Sequence, residues 1–152
     1  MESARPATLA DRPRLVVLAD DERSLAIPRR GGDLWSRRES RPTPVGEALD
    51  RSFSHDFVVA GTILDYVVGF GIGRVEVLRD GSRLGVVDDL FVEEPARSVG
   101  VGEVIMNLLV EWFRSQECFG VDALALPGDR ATKNFFERFG MKARLLTAHS
   151  PL

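Results

Sequence analysis

The sequence predicts an α+β domain in which a mixed, mostly antiparallel central sheet carries flanking helices. Three observations lead there. Residues 56 to 92 hold three β-rich runs joined by tight turns, the pattern of consecutive antiparallel strands. Directly after them Val104, Ile105, Leu108, Leu109, Trp112 and Phe113 recur at helical spacing, with one apolar face. The run Val121-Asp122-Ala123-Leu124-Ala125-Leu126 then reads as a mostly buried strand, parallel to the one it follows by a helical crossover.

The elements follow in chain order. Residues 4 to 8 read as a short strand, and Asp11 caps a helix with Pro13 in its first turn and Leu15 to Leu18 on its apolar side. That helix ends near Ile27-Pro28, and Arg29 to Arg41 reads as an irregular connector whose one large apolar group is Trp35. Thr43-Pro44 is an N-cap and N1 pair for a second helix carrying Val45, Ala48, Leu49 and Phe53, finished by His55. Strands over 56–63 and 66–78 come next, and Arg79-Asp80-Gly81-Ser82 turns the chain into the strand from Leu84 to Val92. Gly69, Gly71 and Gly73 alternate on one face of the middle strand, which lets another element or a ligand approach closely. After the helix from Gly102 to about Glu117, Pro127-Gly128 ends the next strand. Asp129 caps a helix through Arg138, Gly140 is its left-handed C-terminal residue, and Ala143 to Ala148 is the expected last strand.

At 152 residues, 44% apolar and 28% charged, the chain has the size and composition of one soluble globular domain spanning 1–152. No apolar run approaches the roughly 20 residues that span a bilayer, so no membrane is expected, and Met1 to Ala10 lacks the apolar core of a signal peptide. A single cysteine, Cys118, permits no internal disulfide and suits a reducing cytoplasm, where it packs instead of attacking. Net charge −3 argues against nucleic acid as the main partner, and the arginines between Arg29 and Arg38 are interrupted by Asp33 and two glycines. His55 and His149 lack metal-ligand spacing, so no metal site is expected.

One stretch carries chemistry. In Arg97-Ser98-Val99-Gly100-Val101-Gly102, two glycines between a strand and a helix let the backbone turn so that amide N–H groups at the helix start converge on an anion. The helix dipole adds to their field, and Arg97 supplies a fixed charge. Upstream, Asp88 and Asp89 sit side by side on a strand otherwise made of core residues and must face opposite sides. A carboxylate there is costly unless paired or functional. Glu93 and Glu94 read as a solvated bend.

The spacing R-x-x-G-x-G, with Leu90-Phe91-Val92 five residues upstream, resembles the acyl-CoA pyrophosphate loop of the GCN5-related N-acetyltransferase (GNAT) superfamily. Arg5-Pro6-Ala7-Thr8 is similar to that family's opening strand, and Phe135-Phe136-Glu137-Arg138-Phe139-Gly140-Met141 to its "FYEKLGF" helix end, so the resemblance covers nearly the whole chain. Two departures stand in the loop: Ser98 where a glycine is usual, and Glu94, with Pro95 one place later, where a proline is usual.

The resemblance implies an acyl-CoA N-acyltransferase fold in which the strands ending at Val92 and starting at Val121 splay apart. Acetyl-CoA would lie in the gap as acyl donor, its pantetheine bonded to backbone groups of Leu90, Phe91 and Val92 and its pyrophosphate held by Arg97, Ser98, Val99, Gly100, Val101 and Gly102. Asp129, Thr132 and Phe136 share a helix face that packs on the pantetheine. Trp35 would wall the acceptor pocket, and Asp88 or Asp89 would serve catalysis or acceptor binding unless both are plain ion pairs. With Glu93 and Glu94 they make the groove acidic, which favours a cationic acceptor, a small amine or a protein amino group. Phe136 stands where a Tyr usually protonates the departing thiolate. The expected reaction is acetyl transfer by direct attack of the amine, and a homodimer is compatible with it. The alternative is an acyl-CoA-binding sensor with little turnover. A dinucleotide-binding domain is disfavoured, because no G-x-G-x-x-G follows a first strand.

Overall fold

The computed structural model describes residues 1–152. Its elements are β1 (Glu2–Pro6), α1 (Arg12–Ala26), α2 (Gly32–Arg37), α3 (Val45–His55), β2 (Phe57–Ile63), β3 (Tyr66–Val77), β4 (Arg83–Val92), α4 (Val101–Ser115), β5 (Gly120–Ala123) and α5 (Arg130–Arg138). The sheet runs β1-β2-β3-β4-β5, antiparallel except for the parallel pair β4 and β5. No helix is long and apolar enough to cross a membrane.

Strand alternation builds two cores. On one face Leu15 and Leu18 of α1 and Leu49 of α3 pack with Val58, Ala60, Phe70 and Ile72, while Val59 turns the other way to join Ile105, Met106, Leu109 and Phe113 of α4. Each such side chain contributes roughly 2 kcal/mol by leaving water. The strand glycines serve the second core: a Cβ on Gly71 would stand 2.6 Å from Ile105 Cγ2, and one on Gly73 2.7 Å from Phe113 Cζ. The element that approaches them is therefore α4, which sits close on the sheet and whose first turn is fixed relative to β4.

The antiparallel strands, the crossover and α5 stand as predicted, with Asp129 accepting from the Thr132 amide at 3.2 Å and Gly140 at φ +77°. Several expectations are corrected. Asp11 occupies the N-cap position of α1 as expected, but its side chain does not bond the helix amides; it accepts from the Thr8 amide at 2.8 Å and pairs with Arg5, whose hydrogen bond holds its pKa below the usual carboxylate range. Pro44, not Thr43, occupies the cap of α3. The connector holds a helix, α2, started by Gly31 at φ +83°. β5 stops at Ala123, short of Leu126. Residues 143–148 form no strand: Leu145 and Leu146 are exposed, and Arg144 bonds the Asp122 side chain, a contact that supplies no backbone ladder.

Candidate functional site

β4 and β5 pair only over Leu84–Val87 and Gly120–Ala123. Beyond Val87 β4 continues to Val92 at the sheet's end, whereas the other chain leaves the sheet, and a groove of about 600 Å³ opens between them. The first turn of α4 and the inner face of α5 form one end of its wall, and α1 with the connector forms the other.

At the α4 end the turn is held by left-handed residues. Gly100 is the cap of α4 at φ +92°, a conformation that strains any L side chain, and Ser98 adopts φ +68° where a glycine would be unstrained. The first-turn amides of α4 have no acceptor inside the helix and gather beside Gly100. Arg97 folds onto the loop, donating from Nε to the Val92 carbonyl at 2.8 Å, with its guanidinium 5.6 Å from the Phe91 ring centre. Ser98, Gly100, Val101 and Gly102 line the groove, as do Leu90, Phe91 and Val92; Val99 does not line it and points to solvent. Arg138 adds a second cation to the wall, lying over the Phe135 ring at 5.8 Å, a contribution that sequence reading missed although it shares a helix turn with Phe135.

On α5 the carboxylate of Asp129 is occupied. It accepts from the Thr132 amide and hydroxyl and from Arg29 at 2.8 Å, so it ties the helix start to the end of α1. Phe136 is 8% exposed, with its ring edge-on to Phe135 and turned to the groove. Tyr66 stacks under Arg14 outside the groove, so it offers no acid there.

The other end is made of side chains. Between Ile72 and Gly73 the β3–β4 register shifts, so Asp88 is the extra residue of a bulge and Asp89 pairs with Ile72. Asp88 and Asp89 keep opposite orientations, exposed and buried, yet both reach the groove wall. Asp88 accepts from Arg74 at 3.0 Å; burial raises its pKa above the usual range despite that arginine. Asp89 accepts from Arg41, whose NH1 also donates to Ser52 at 2.6 Å. Trp35, Glu39 and Leu25 complete the wall. Glu22, on α1, was not singled out by sequence: it stands in the run Asp20-Asp21-Glu22-Arg23, which reads as a solvated face, but it borders the groove. The expectation that Glu93 and Glu94 acidify the groove is corrected, because Glu93 turns away to Arg14 at 2.6 Å and neither lines it.

A model of the acetyltransferase (GNAT) family matches residues 19–141. No curated protein sequence matches the chain. Solved structures do: a tetramutant of a Bacillus halodurans protein superposes with TM-score 0.83 at 17% identity, over 98% of this chain and 99% of the other. Glucosamine-6-phosphate N-acetyltransferase from Arabidopsis thaliana superposes with TM-score 0.71 at 16% identity, over 99% and 98%. Ribosomal-protein-alanine N-acetyltransferase from Brucella melitensis superposes with TM-score 0.73 at 15% identity, over 100% and 99%.

Proposed function

The chain belongs to the acetyltransferase (GNAT) family, and from that premise we propose that it moves the acetyl group of acetyl-CoA to a cationic amine by direct attack. The observation that carries this reading is the groove itself: a stretch of β4 with no strand on its β5 side leads straight to a helix start with a left-handed glycine and two arginines, Arg97 and Arg138, on its wall. The extended pantetheine would add to the β4 edge at Leu90 to Val92 as a strand does. The pyrophosphate would meet the amides of Val101 and Gly102 and the charge of Arg97, a preformed anion site. Phe136 and Thr132 would cover the thioester arm from α5.

The acceptor would enter between α1 and the connector. Glu39 and Asp88 give that mouth negative charge, and Trp35 offers a flat face to a cation or its alkyl chain. Asp88, whose pair with Arg74 is open to the groove, is the strand carboxylate placed to bind the ammonium; Asp89 is buried in its pair with Arg41. After attack the thiolate leaves without a tyrosine to protonate it and takes its proton from water, since a thiol is acidic enough to depart as the anion.

Free CoA released from acetyl-CoA in the presence of a panel of diamines, polyamines and peptides with free amino groups tests the reading. Amine-dependent release is the expected result. Tight acetyl-CoA binding with no release for any amine would instead make the protein a sensor of acyl-CoA.

A further inference from the structure

Glu22 of α1 and Asp89 of β4 line the same groove. Arg41 stands behind Asp89. Its side chain is 11% exposed and that of Asp89 4%, and the Arg41 Nε is buried with no partner at all. The ion pair thus commits Arg41 to Asp89 and leaves Glu22 without a cation of its own. The other charged groups of the wall are Asp88, Glu39, Glu103 and Asp129, all acidic, and Arg29, Arg97 and Arg138, of which Arg29, just after α1, is engaged with Asp129. A second carboxylate in this place is opposed first by burial and then by the charge of Asp89, which together push Glu22 well above the usual glutamate range.

Resting on the acetyl-transfer reading, we propose that Glu22 is the general base of the reaction and that Asp89, fixed by Arg41, is the residue that positions and tunes it. In its ionised form Glu22 takes one proton from the acceptor ammonium. The neutral amine nitrogen attacks the thioester carbonyl, the C–N bond forms and the C–S bond breaks. The second N–H proton reaches the CoA sulfur through water, and the proton on Glu22 passes along the groove to solvent. Acceptor ammonium plus acetyl-CoA thus become amide, CoA thiol and one released proton. An ordinary glutamate, with a pKa of about 4.3, is mismatched to an ammonium near 10, and a raised carboxyl narrows that gap.

Two readouts test this. With the most active amine of the panel, kcat/KM should rise with pH through a limb lying above the usual glutamate range, because only ionised Glu22 accepts the proton. Glu22→Gln should lower kcat by 10²-fold or more, flatten that limb and leave acetyl-CoA affinity unchanged. Asp89→Asn should move the limb to lower pH, since it removes the charge that raises Glu22; if that variant does not fold, Arg41→Gln should move it to higher pH. Full kcat in Glu22→Gln, or a limb unmoved by either neighbour, overturns the proposal. Carbon-13 titration of the Glu22 carboxyl needs no acceptor. If no amine is acetylated, the functional reading has failed on its own, and a Glu22 that titrates in the ordinary range overturns the proposal separately.

Discussion

The α4 end of the groove presents backbone amides from one continuous stretch, Arg97–Gly102, whereas the α1 end presents side chains brought from α1, the connector and β4. The first end is held by the packing of α4 against strand glycines, and its chemistry is indifferent to most side chains of the loop. Ser98 illustrates this: it departs from the usual glycine and still adopts the left-handed turn. The second end depends on a few ion pairs, so single substitutions there change charge, proton affinity and stability together.

That contrast can be broken or sharpened in order of effect. Arg41→Leu should be most severe, because it leaves the buried Asp89 carboxylate without its cation; loss of one partner of such a pair costs about 3–5 kcal/mol, read as a lowered urea midpoint. Stability equal to the parent would mean that Asp89 is neutral in the fold. Phe136→Tyr places a phenol in a groove lined by no tyrosine and should raise kcat about tenfold with acetyl-CoA affinity unchanged; general acids supply more than this where the leaving group is poorer. A slower variant would show that protonation of sulfur does not limit turnover. Arg97→Ala should weaken acetyl-CoA about tenfold, near 1.4 kcal/mol, and reduce the salt dependence of binding, while leaving the pH limb in place. The smallest effect is expected from Arg29→Gln. That pair with Asp129 is partly exposed and contributes up to about 1 kcal/mol, so thermal unfolding should shift by a few degrees at most.

How far the sequence could be read follows the same division. The loop and the strand before it are contiguous, so the glycine spacing drew attention to Arg97 to Gly102 and the family resemblance to Leu90 to Val92, and the groove runs along both. The side-chain end could be seen only in halves. Asp88 and Asp89 stood out as acids in a core strand, but the bulge that presents both to the groove leaves no trace in residue types. Arg41 becomes the partner of Asp89, and Glu22 reaches the same groove, through tertiary packing between elements far apart in the chain, and the acidic run around Glu22 resembles any solvated helix face. In the fold, α2 was hidden because Gly31 and Gly32 read as loop, whereas Gly32 is buried against the Ala26 carbonyl and tolerates no Cβ. The apolar residues of 143–148 suggested a strand, yet no backbone lies beside them to complete one.

In the proposed function acetyl-CoA lies between β4 and β5 with its pyrophosphate on the first turn of α4. Titrating nitrogen-15-labelled protein with acetyl-CoA and following backbone amide shifts tests this residue by residue. The largest shifts should fall on Val99 to Glu103 and on Leu90 to Val92, with Phe135 and Phe136 next and the α3 face unmoved. Saturable binding whose shifts centre elsewhere, leaving the amides of Val101 and Gly102 in place, would contradict it.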